Sequence, residues 1–129
     1  PEDPKVNIAH NILEIMEMEN DSNLFAGDLS LPKRRRLEIA RALARDPKVI
    51  LLDEPAGGMT PKETESLAHL INKNVAPGRT CLVIEHKMDL IAEVCEELCV
   101  INHGEKIAQG DPSVVFNKPE VIEAYLGKV

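Results

Sequence analysis

The sequence predicts an α/β chain, a mainly parallel sheet flanked by helices, and three observations carry that reading. Val49-Ile50-Leu51-Leu52 is an unbroken aliphatic run of strand length, the pattern of a strand buried on both faces. Thr80–Glu85 reads as a second buried strand beyond a helical segment, and strand, helix, strand in that order implies a crossover and a parallel pair. Asp53 and Glu54 close the first run. That places two carboxylates at the C-terminal end of a strand, where open parallel sheets bind ligands.

The elements follow in order. Apolar Ile8, Ile12, Leu13, Ile15 and Met16 recur at helical spacing within Val6–Met18. Glu19–Gly27 is polar and reads as a loop. Lys33–Arg45 is a second helix, with Leu37, Ala40, Leu43 and Ala44 on one face and Asp46-Pro47 stopping it. Ala56-Gly57-Gly58 is a turn. Thr60-Pro61-Lys62-Glu63 opens a third helix, with Thr60 as N-cap, Pro61 at the first helical position and Glu63 closing a capping box. That helix runs to about Asn74, and Pro77-Gly78 turns the chain into the second strand. A helix over Met88–Cys95 follows. Leu98–Asn102 and Lys106–Gln109 flank His103-Gly104-Glu105 as a hairpin. Pro112–Phe116 and Pro119–Leu126 are two short helices.

Composition bounds the function. With 129 residues the prior is one domain, and 43% hydrophobic with 2% aromatic residues means an aliphatic core. A net charge of −7 argues against a dedicated nucleic-acid surface. No apolar run approaches the roughly 18 residues of a membrane span, and no signal-peptide pattern opens the chain. Pro1-Glu2-Asp3-Pro4 has no starting Met, so the chain is expected to begin within a longer protein. Cys81, Cys95 and Cys99 lack disulfide-framework spacing and read as buried, unreactive free thiols. Cys95, Cys99 and His103 recur every four residues. Gly104 and the strand-like Leu98–Asn102 break the helix that would align them on a metal.

An Asp at the end of a buried strand can hold Mg²⁺, and a Glu beside it can orient or deprotonate a water that attacks a phosphate. Asp53 and Glu54 therefore suit nucleotide hydrolysis. Ser30 stands as N-cap ahead of Leu31-Pro32-Lys33-Arg34-Arg35-Arg36. Four cations at a helix N-terminus oppose its dipole, and the arrangement makes sense if an anion docks at Ser30 and the free amides.

Leu29–Leu43, the Asp53-Glu54-Pro55 strand end, Ala56-Gly57-Gly58-Met59-Thr60-Pro61 and Ile84-Glu85-His86 together resemble the second half of an ABC transporter ATPase. The tail from Gln109-Gly110-Asp111-Pro112 to Tyr125-Leu126-Gly127 and the Leu-Glu-Ile-Ala-Arg-Ala-Leu helix resemble the ATP-binding subunits of branched-chain amino-acid uptake transporters. The resemblance covers nearly all of the chain. It implies a partial P-loop NTPase fold, with residues 1–28 part of the helical subdomain and residues 29–129 the C-terminal part of the ATPase core.

Carried over by position, the resemblance implies these roles. Asp53 is the Walker B aspartate that helps hold Mg²⁺, and Glu54 is the catalytic glutamate that polarises the attacking water. His86 is the switch histidine that contacts the γ-phosphate and links it to Glu54. Ser30, Leu31, Pro32 and Lys33 form the signature loop, which caps ATP bound to the other subunit. Gly57, Gly58, Met59 and Thr60 form the D-loop at the dimer contact. The sequence departs from the family where Leu31 and Pro32 replace glycine, Lys33 replaces glutamine and Thr60 replaces Asp or Asn. Pro32 brings no N–H to a phosphate.

No Gly-x-x-x-x-Gly-Lys-Ser/Thr occurs in the sequence, and its only glutamine, Gln109, comes too late to be the Q-loop residue. The resemblance implies an ATP- and Mg²⁺-dependent subunit, cytoplasmic and peripheral on the inner face of the cell membrane. Its implied partners are a second ATPase subunit, identical or not, and membrane permease subunits. The chain reads as a C-terminal half lacking Walker A, inactive alone. An alternative is a non-catalytic truncated or split module that binds partner subunits without hydrolysing ATP. A metal-dependent phosphohydrolase using Asp53, Glu54 and His86 would leave the signature and tail as coincidences. A sheet built from half the domain is expected to expose an apolar edge or face and to self-associate.

Overall fold

Asp3 accepts a hydrogen bond from the Lys5 N–H at 2.9 Å and Pro4 takes the first helical position, so helix α1 spans Pro4–Ile15. It is the first element of the computed structural model of the chain, which describes residues 3–127. Residues 1, 2, 128 and 129, the outer ends of the two segments expected from the sequence, lie outside the described residues. α1 buries none of its own residues. The chain beyond it does bury side chains: Met16 and Met18 enter the main core, and Glu17 between them takes a left-handed φ of 55°. Two single 3₁₀ turns, Glu19–Asp21 and Ala26–Asp28, lead to α2 (Leu31–Leu43).

α2 begins two residues before the sequence expectation, with Ser30 in the N-cap position. Its buried stripe is Ile39, Ala40 and Leu43, while Leu37 is half-buried and Ala44, at the C-cap, is exposed. Asp46, with φ 47°, ends the turn, and Pro47 starts the extended run into β1 (Val49–Asp53).

β1 pairs in parallel with β2 (Thr80–Ile84), from Val49 opposite Thr80 to Asp53 opposite Ile84. The crossover is α3 (Pro61–Leu70), continued as a π turn over Ile71–Val75. Its capping box is complete: the Glu63 N–H donates to Thr60 Oγ1 at 3.3 Å and the Thr60 N–H donates to Glu63 Oε2 at 2.8 Å. α4 (Met88–Val94) packs beside α3.

A second, antiparallel sheet pairs β3 (Leu98–Asn102) with β4 (Glu105–Gly110). The connection is a two-residue turn, His103-Gly104, with φ of 49° and 81°, the doubly positive backbone that joins twisted strands tightly. Asp111 caps α5 (Pro112–Val115), accepting from the Ser113 N–H and hydroxyl, and these bonds hold its carboxyl below the usual carboxylate range. α6 (Pro119–Leu126) closes the described chain.

One apolar cluster joins Met16, Met18, Ile39, Leu43, Ile50, Leu52, Leu67 and Ile71, and a smaller one joins Val100, Ala108, Val115 and Val121. The first covers only one face of the parallel pair. Ile50 and Leu52 are buried, whereas Val49, Leu51, Leu82 and Ile84 are between 57% and 69% exposed. This corrects the expectation of strands buried on both faces: the described residues supply helices to one side only. The expected open apolar face is present. The cysteine reading also needs correction, since Cys99 lies on the outward alternation of β3 and is exposed.

Two tests follow from these surfaces. The 129-residue chain should self-associate as concentration rises, and Leu51→Lys with Leu82→Glu should reduce that association in sedimentation velocity. A wild-type chain that stays monomeric across the range would contradict it. Burial pushes the Cys81 thiol up, against the opposing charge of Arg79, and burial with the nearby Cys81 pushes up Cys95. Iodoacetamide at neutral pH should therefore label Cys99 first, read by peptide mass spectrometry; equal labelling of all three thiols would contradict the burial.

Candidate functional site at the strand ends

The ladder hydrogen bonds bring the C-terminal ends of β1 and β2 to one rim, where the Glu54 N–H donates to the Ile84 carbonyl at 2.7 Å. Asp53 is the last residue of β1 and is exposed. Among the described residues nothing donates to its carboxylate, and no cluster of three metal-ligating side chains surrounds it. One free carboxylate suits Mg²⁺, which keeps several waters and binds through one or two carboxylates together with substrate phosphates. Asp53 would hold the ion, which supplies charge neutralisation at a phosphate when bound.

Glu54 turns the chain out of the strand with φ 47°, left-handed at a residue that is not glycine. Such a backbone costs on the order of 1–3 kcal/mol and persists only where its surroundings impose it. Here the bond to Ile84 fixes the residue from one side, and the Gly57 N–H donates to the Glu54 carbonyl at 3.0 Å from the other. The result aims the Glu54 side chain at His86. His86 Nδ1 lies 3.7 Å from Glu54 Oε1, and both side chains are about 60% open to solvent (62% and 60%). The pair is therefore accessible to a water and a phosphate.

The 56–60 turn packs back onto the start of α2. A Cβ at Gly58 would stand 2.8 Å from Leu31 Cδ2, and the φ of 78° there would strain any side-chain-bearing residue, so the position favours glycine. A Cβ at Gly57 would meet an Arg35 guanidinium nitrogen at 3.3 Å. Met59 is buried and Thr60 caps α3. Leu31, Gly57, Gly58, Met59 and Thr60 thus belong to one packed corner.

Ser30 holds the N-cap backbone, but its hydroxyl makes no capping bond. Pro32 occupies the first turn of α2 without strain. The basic run has partners in the chain: Lys33 pairs with Asp21 at 2.6 Å, Arg35 with Glu38 at 3.2 Å and Arg36 with Glu17 at 3.3 Å. Acidic side chains therefore offset most of the charge that the sequence reading assigned to an anion. Among the described residues no hydrogen bond or ion pair joins Ser30 or Lys33 to Glu54 or His86.

Two residues of this rim escaped the sequence reading. Glu85 has a fully buried carboxylate that accepts from the Ala56 N–H at 3.2 Å and from the His86 N–H at 3.1 Å. Lys87 donates from Nζ to the carbonyls of Ala56 at 2.8 Å and Met59 at 2.6 Å. The available signal was strand alternation, since position 85 continues the inward series of Cys81 and Val83.

Comparison with known proteins bears on the same residues. The family model described as "ABC transporter" matches residues 2–57, and that described as "Branched-chain amino acid ATP-binding cassette transporter" matches residues 105–129. The chain is 42% identical to the high-affinity branched-chain amino acid transport ATP-binding protein BraF of Pseudomonas aeruginosa, over 90% of this chain and 46% of that protein. It is 40% identical to the corresponding LivG of Escherichia coli K12, with the same shares covered. The crystal structure of an ATP-binding cassette of an ABC transporter in an ADP conformation superposes with a TM-score of 0.88 at 32% identity, over 99% of this chain and 52% of that one. The chain spans about half the length of the relatives it matches. The α/β fold, the two matched segments and the shared sequence agree: this chain belongs to the ATP-binding cassettes of ABC transporters, alongside members named for branched-chain amino acid transport.

Proposed function

We propose that this chain carries the hydrolytic half of an ATP-binding subunit that powers a branched-chain amino acid importer. The single observation that supports this best is the Glu54–His86 approach of 3.7 Å at the end of the strand that presents Asp53. In this reading Glu54 orients and polarises the attacking water. His86 bridges Glu54 to the γ-phosphate, and Asp53 holds Mg²⁺. Ser30, Leu31, Pro32 and Lys33 face ATP bound to a second ATPase subunit, and Gly57–Thr60 meet that subunit. Closure of the two subunits drives a membrane permease, which puts the protein on the cytoplasmic face of the membrane. Residues up to 28 belong to the helical subdomain and the rest to the ATPase core. The match of residues 105–129 supports the branched-chain assignment.

The 129 residues contain no Gly-x-x-x-x-Gly-Lys-Ser/Thr to cradle the β- and γ-phosphates. The reading therefore assigns that loop to a part of the intact protein outside this chain, and the chain alone is inactive. The same observation favours a second reading, a module that binds partner subunits without turning over ATP.

One experiment separates the two. In the intact protein, Glu54→Gln should lower ATP turnover by about 10²–10⁴-fold while ATP binding is kept. Turnover that is absent in the wild type supports the non-catalytic module, and turnover that Glu54→Gln leaves unchanged refutes the role of Glu54. ATP hydrolysis by the isolated 129-residue chain, lost in Glu54→Gln, would overturn the assignment of the phosphate loop to another segment.

A further inference from the structure

Alternation along β2 makes position 85 an interior position, yet the residue there is a glutamate whose side chain is 0% exposed. Burying a carboxylate is costly unless its charge is met. Among the described residues no Lys or Arg pairs with it. Three backbone N–H groups hold it instead: Ala56 at 3.2 Å on Oε2, and His86 at 3.1 Å and Lys87 at 3.4 Å on Oε1. His86 Nδ1 lies 3.5 Å from the same Oε1. Lys87 closes the frame from the other side. Its ammonium has three donors, and three acceptors lie within reach: the Ala56 and Met59 carbonyls at 2.8 and 2.6 Å and Thr64 Oγ1 at 3.5 Å. Ala56 is thus held at both its N–H and its C=O by the two residues that flank His86.

We propose that Glu85 and Lys87 are positioning residues that clamp the 56–59 turn to the His86 backbone, so that the turn and the histidine move as one body. The proposal rests on the hydrolytic reading of Glu54 and His86. Ala56 lies two residues beyond Glu54, whose left-handed backbone must be imposed by its surroundings. Releasing Ala56 therefore loosens the aim of Glu54 at His86 without touching Asp53. Glu85→Gln keeps the shape but replaces an acceptor oxygen with an NH₂ facing an N–H donor. Lys87→Met keeps the stem and removes the ammonium.

The test uses both variants and Glu54→Gln in the intact protein, reading ATP turnover against ATP concentration well below each melting temperature, with hydrogen–deuterium exchange of the 54–60 segment. Each clamp variant should lower kcat by about 10–100-fold with KM for ATP unchanged, the loss expected from misplaced reacting groups. Each should also speed exchange at 56–59 while leaving the α2 amides as they were. A merely structural role would lower the melting temperature and leave kcat and local exchange alone, and that result overturns the proposal. If Glu85→Gln fails to fold, Lys87→Met decides. If Glu54→Gln has no effect on turnover, the hydrolytic reading fails, and unchanged exchange at 56–59 would then refute the clamp separately.

Discussion

The parallel register of β1 and β2 is the constraint on which the site depends. With Asp53 opposite Ile84, the residues that follow both strands share one rim, and Glu54 reaches His86 across it. The side-chain period of a strand is two, so a slip of one residue in β2 would exchange its faces. Glu85 would turn out to the open side and Ile84 would turn inward. The buried carboxylate would lose the Ala56 amide, and the apolar face would lose half its members. Register, charge placement and site geometry are therefore one specification.

A two-stranded sheet is marginal by itself. Here helices α2, α3 and α4 cover one face, and their apolar residues join Ile50 and Leu52 in a single cluster. The other face, with Leu51 and Leu82 exposed, is an apolar surface that no described element covers, beside the Glu54–His86 rim. The site thus stands at the edge of a half-covered layer. Glu54 and His86 are open to solvent, whereas the groups that hold them are covered: the Glu85 side chain, Ala56 and Met59. In the proposed hydrolysis the exposed groups are the ones assigned to water and phosphate, and the buried ones are assigned to holding them in place.

Much of this was legible in the sequence because local rules carried it. Thr60, Pro61 and Glu63 state a helix start, and the structure contains that capping box in full. The aliphatic run Val49–Leu52 with its terminal carboxylates gave the strand and the position of Asp53 and Glu54. Burial on both strand faces was not legible, because the residues of a strand cannot tell whether a second layer is present in the same chain. The partners of the α2 cations were not legible for a related reason: Asp21 and Glu17, distant in sequence, approach Lys33 and Arg36 only in the fold. Glu85 and Lys87 were hidden by the histidine between them, since no motif distinguishes a buried carboxylate from a solvated one.

The 56–59 turn is gripped from two directions, and this explains its composition. On one side Leu31 and Arg35 of α2 press against Gly58 and Gly57, and neither position has room for a Cβ without displacement. On the other side Glu85 and Lys87 hold the Ala56 amide and the Ala56 and Met59 carbonyls. Small residues are needed where α2 approaches, and an anchored backbone is needed where His86 begins. The turn is consequently a shared wall between the start of α2 and the Glu54–His86 pair. The Leu31 side chain lies against Gly58, and Ala56, two residues before it, is bonded to the residues on either side of His86.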